Sequence, residues 1–99
     1  MKTIKTMKLK ERLKKRIQAG IAFLNVKSPN WLKKIDLEKL DLNEPKLCIL
    51  GEVYGDYHEA KEKLLANDKQ IAEDLAFRTS ANRYSLLTRL WKNELRKLL

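Results

Sequence analysis

Leu9, Leu13, Ile17, Ile21 and Leu24 recur at intervals of three and four residues in the first quarter of this chain, with Gly20 beside Ile21. That is the repeat of an α-helix, so these side chains share one stripe and need another surface to cover it. A helix is expected from about Thr6 to Val26 or Lys27, with Met1 to Lys5 frayed. A chain of 99 residues has room for one core and no second domain. With only three Gly and two Pro, and abundant Leu, Lys and Glu, the stripe's partners are expected to be helices. The expected fold is all-α, a single compact domain of four or five helices led by a long basic one.

The later segments carry start signals and apolar positions at similar spacing. Ser28-Pro29 reads as an N-cap followed by proline in the first turn, opening a short helix through Trp31, Leu32 and Ile35. Asp36 to Leu42 favours a helical turn over a strand. Asn43-Glu44-Pro45 repeats the start signal, and Leu47, Leu50, Tyr54 and Tyr57 extend a helical pattern to Leu64. One helix from about Pro45 to Leu65 is expected, with Gly51 and Gly55 on one face allowing close approach. The alternative makes Leu47 to Leu50 a buried strand ended by Gly51. Asn67-Asp68 caps a short helix through Ile71, Ala72, Leu75 and Ala76. Thr79 to Asn82 breaks it, and a last helix runs from about Arg83 to Leu98.

Charge is distributed unevenly over this framework. Met1 to Lys34 holds eleven Lys and Arg against Glu11 alone, while the remaining residues are nearly balanced at eleven basic and twelve acidic. The whole net charge of +9 therefore belongs to the first third. A polyanionic or acidic partner is implied. Lys8, Lys10, Arg12, Lys14, Lys15 and Arg16 would occupy the circumference left free by the apolar stripe, where lysine and arginine bind phosphates by releasing counterions. The stripe is small and lacks Trp, so membrane-surface binding is the weaker reading.

Several function classes find no residues to support them. The single His58 and the single Cys48 lie ten positions apart with no convergent acidic cluster, so neither a metal nor any other cofactor is expected. Cys48, flanked by Leu47 and Ile49, reads as a small buried apolar residue, not a nucleophile. A lone cysteine also fits a reducing compartment, and no apolar run suits a signal peptide or a membrane span; the expected location is the cytoplasm. Gly51 to Gly55 lacks the Lys-Ser/Thr of a phosphate loop. The acidic pairs Glu52/Asp56 and Glu73/Asp74 read as solvated helix faces. A non-enzyme that acts by binding is expected.

The last two helices suggest a second binding element. A short helix, a break and a longer helix have the order of a helix-turn-helix, and the exposed face of the last helix would include Arg83, Arg89, Lys92 and Arg96. These residue types grip phosphates or read base edges. Trp91 and Tyr84 fall on the apolar stripe and suit packing better than base stacking.

Trp31, Ile35-Asp36-Leu37, Leu40-Asp41-Leu42, the string Cys48-x-Leu50-Gly51-x-x-Tyr54-Gly55, Tyr57, Tyr84, Leu87-Thr88 and Trp91 together resemble a group of small phage and bacterial proteins. The resemblance covers about Ala19 to Trp91. Where those proteins often have Gly-Phe, this chain has Ala76-Phe77. A mobile-element setting is implied, in which small non-catalytic proteins bind DNA or RNA, or block a nucleic-acid-handling host protein such as a CRISPR effector. The basic N-terminal segment lies largely outside the resemblance.

Overall fold

The computed structural model describes the chain from Lys2 as backbone and from Lys8 with its side chains. Fraying is expected over Met1 to Lys5, but the backbone is helical from Lys2, and only Met1 lies outside the described backbone. Helix α1 spans Lys2–Lys27. Leu13, Ile17, Ile21 and Leu24 are buried, Leu9 is partly buried against the same core, and Gly20 is buried beside them. The i, i+4 stripe is thus the face that holds α1 on the domain. Each such side chain contributes on the order of 1.5–3 kcal/mol, offset by the entropy of ordering the chain.

The segment after α1 is less helical than its start signal suggests. Pro29 sits in a turn, not in the first turn of a helix, and a single 3₁₀ turn, Trp31–Lys34, takes the place of the expected helix. Trp31 is buried, and its Nε1 donates to Asn25 Oδ1 at 2.8 Å, tying the turn back to α1. Asp36 to Leu42 forms no strand: Asp36 O accepts from Lys39 N at 3.2 Å and from Leu40 N at 3.0 Å, a single helical turn that does not continue into a helix. Aspartate chemistry explains this, because Asp36 Oδ1 accepts from Glu38 N and Asp41 Oδ1 from Asn43 N. Such local bonds offer the backbone an alternative to a helix. The segment still buries Leu40 and Leu42.

The single helix expected over Pro45 to Leu65 is two helices, α2 (Ile49–Tyr54) and α3 (Tyr57–Leu65). The strand alternative over Leu47 to Leu50 does not form either. Gly55 ends α2 at φ 99°, and Asp56 is extended, its side chain accepting from Glu59 N to start α3. Only a residue without a Cβ adopts such a φ at no cost. Pro45 to Leu47 stay in a turn, so α2 starts at Ile49. Cys48 is its N-cap, with Sγ accepting from Gly51 N at 3.3 Å. Gly51 does allow a close approach, but to the backbone of Pro45 and Lys46 and not to another helix.

Helix α4 is Lys69–Asp74, capped as expected by Asp68, whose side chain accepts from Gln70 N and Ile71 N. It stops before Leu75. Phe77 N donates to Ala72 O, Ala76 N donates to Glu73 O, and Ala76 takes φ 60°, the geometry of a Schellman ending. A 3₁₀ turn, Ala81–Arg83, then leads into α5, Tyr84–Leu98. The whole is an all-α globule with no strand among the described residues. Helix α1 packs on α4 and α5, α2 on α3, and one continuous core joins them.

Candidate functional site

Helix α1 divides the six expected cations by their angle around its axis. Lys8, Arg12 and Lys15, at i, i+4 and i+7, are exposed on the face opposite Leu13, Ile17 and Leu24. Lys14 is exposed at one side. Lys10 and Arg16 are half-buried, Lys10 in line with the apolar stripe, so the freely displayed set is four and not six. Among the described residues the ion pairs are Arg78–Glu73 at 2.6 Å and Lys97–Glu94 at 2.7 Å. None of the α1 cations takes part in them.

Helix α5 meets α1 through Glu94, which is buried although charged. Lys97 Nζ bonds one carboxylate oxygen, and Gln18 Nε2 on α1 donates to the other at 3.0 Å. The Lys97 contact holds the Glu94 carboxyl below its ordinary 4.5, helped by Gln18 and by the charge of Lys14, while burial opposes them. A lowered folded value means stability that is fully present above 4.5 and is lost as the pH falls through the folded value. The stability difference between the native chain and Glu94→Gln is therefore expected to be constant from neutrality to about pH 5, then to shrink in acid. Urea denaturation at a series of pH values checks this.

Arg89, Lys92 and Arg96 lie roughly half a turn around α5 from Glu94, on the side away from that contact. With Ser85 and Thr88 they form one wall of an open groove of about 570 Å³. Its other wall is Glu38 to Asp41. Leu42 N donates to Thr88 Oγ1 at 3.0 Å and fastens the loop to α5. Arg83 is exposed in the 3₁₀ turn ahead of α5 and does not line the groove. The structure therefore separates the expected basic residues into an α1 face and an α5 groove. Glu38, Lys39 and Asp41 carry no local signal of a site; only the tertiary fold brings them to α5.

The helix-turn-helix reading does not hold geometrically. Helix α4 has six residues, and the segment from Leu75 to Arg83 that joins it to α5 is longer than the three- or four-residue turn of that motif. The α5 cations face a loop across the groove.

The string around Cys48 builds α2. Burial pushes the Cys48 thiol up to about 11, against the opposing pull of the backbone N–H groups it caps. Beside it, a pocket of about 170 Å³ is lined by Tyr57, His58, Phe77 and Tyr84. Burial raises the Tyr57 hydroxyl to about 12. Among the described residues, no three His, Cys, Asp or Glu side chains converge on a metal position, and no helix is long and apolar enough to cross a membrane. Comparison of the chain with protein-family models, curated proteins and solved structures finds no match.

Proposed function

We infer that the protein is a non-catalytic binding protein that engages the phosphate backbone of nucleic acid through the outer face of α1. The observation that carries this reading is the set Lys8, Arg12, Lys14 and Lys15, exposed, without ion-pair partners among the described residues, on a helix whose opposite face is locked into the core. Anchoring holds the charges at fixed spacing, so binding does not have to order the helix backbone first. Phosphate contacts of this kind are independent of base sequence and sensitive to salt. In the phage-like setting that the resemblance implies, the target is DNA, RNA or a nucleoprotein complex.

Fluorescence anisotropy with labelled duplex and single-stranded oligonucleotides tests the reading. Four phosphate contacts give a log–log salt slope of about −3 to −3.6, or roughly a hundredfold loss of affinity on a fourfold rise in salt. The triple variant Lys8→Glu/Arg12→Glu/Lys15→Glu is expected to abolish binding while leaving the circular dichroism spectrum unchanged. Binding that is indifferent to salt, or that survives the reversal, overturns the proposal. A nuclease-resistant stoichiometric complex with an acidic host protein, in place of nucleic-acid binding, would assign the same face to a protein partner.

A further inference from the structure

The groove on the far side of α5 has two chemically different walls. Arg89, Lys92 and Arg96 stand at i, i+3 and i+7, a cationic row about 10 Å long on one helix face. Across from them, Glu38 and Asp41 flank Lys39. Cations and carboxylates share one groove, yet no ion pair within 4.0 Å joins the walls among the described residues. Thr88 Oγ1 accepts from Leu42 N and ties the loop to α5, while one Asp41 oxygen accepts from Asn43 N within the loop. The charges of the two walls, unpaired with one another among the described residues, line the same groove and leave room for a ligand between them.

A ligand that suits both walls is anionic at one end and rich in hydrogen-bond donors at the other. Guanidinium forks and an ammonium group bind phosphate oxygens, and carboxylates accept from sugar hydroxyls or amino groups. An acidic peptide would satisfy the α5 wall but be repelled by Glu38 and Asp41. The volume is of the size that holds small ligands. We propose that the groove between α5 and residues 38–41 binds a nucleotide, its phosphates on Arg89, Lys92 and Arg96 and its ribose toward Glu38. The nucleotide is either free or the phosphorylated end of a strand. This site is separate from the α1 face and stands whether or not that face binds nucleic acid.

Isothermal titration calorimetry of the full chain with ADP, with pyrophosphate, and with a short oligonucleotide bearing or lacking a 5′-phosphate tests the site. ADP is expected to bind in the sub-millimolar range. Arg89→Ala and Lys92→Ala should each weaken it about tenfold or more. Lys8→Glu/Arg12→Glu/Lys15→Glu should leave it unchanged. Glu38→Ala separates two-sided recognition from a merely basic patch: ADP binding should weaken while pyrophosphate binding strengthens. If Glu38→Ala strengthens both, or if no ligand binds at millimolar concentration, the proposal is overturned. Displacement of ADP by the phosphorylated oligonucleotide but not the unphosphorylated one assigns the site to strand ends; displacement by neither assigns it to free nucleotides. Circular dichroism confirms that each variant is folded.

Discussion

Trp91→Ala is expected to remove about 4–5 kcal/mol of stability, a large share of what a domain of this size possesses. Trp91 is fully buried. Its ring stacks on Phe77 at 6.2 Å, and Phe77 in turn meets Phe23 of α1 edge-on at 5.9 Å. The indole Nε1 donates to Ala76 O at 2.7 Å, at the end of α4. Truncation therefore opens a cavity among three helices and leaves a buried carbonyl unpaired. Thermal or urea denaturation reads the loss. Trp91→Phe keeps most of the volume and isolates the hydrogen bond, at about 1–3 kcal/mol. If Trp91→Ala costs less than Trp91→Phe, the indole is not the link between α5 and α4.

Gly51→Ala is expected to cost about 3 kcal/mol despite alanine's better helix propensity. A Cβ at this position would stand 2.2 Å from Pro45 O and 2.6 Å from the Lys46 carbonyl carbon. Both are backbone atoms. Pro45 O cannot move aside cheaply, because it accepts from Tyr57 N at 2.9 Å at the start of α3. Relief of the clash must break that bond or push α2 off the core. Gly55 is the internal control: at φ 99° with open space around it, alanine there meets only backbone strain, about 1–2 kcal/mol. Equal costs at the two positions, measured by urea denaturation, would contradict the close approach at Gly51.

Trp91 and Gly51 mark where the sequence was legible and where it was not. The α1 stripe and the apolar side of α5 follow from spacing alone, because a long helix repeats its signal over many turns. The division of Pro45 to Leu65 into two helices is written in Gly55-Asp56, a terminator followed by a cap. The apolar pattern runs through that break unaltered because α2 and α3 bury successive residues of one core. Cys48 is a rarer cap than Ser or Asp, and its flanking leucine and isoleucine make it read as core filler. The α1 cations were visible as charge, but which of them the core would half-bury depended on where packing ends along the helix. Glu38 and Asp41 come to face Arg89 and Lys92 through the burial of Leu40 and Leu42 and the Leu42–Thr88 hydrogen bond, a contact across 46 residues that no local pattern encodes.

The cap at Cys48 has a chemical consequence. The thiol is buried, and burial holds its acidity near 11, so at neutral pH the closed helix presents almost no thiolate to a reagent. Alkylation or disulfide exchange must wait for α2 to lift away from its cap. Because this is the chain's single cysteine, the rate of that reaction is a clock for one local opening event, uncontaminated by any other site.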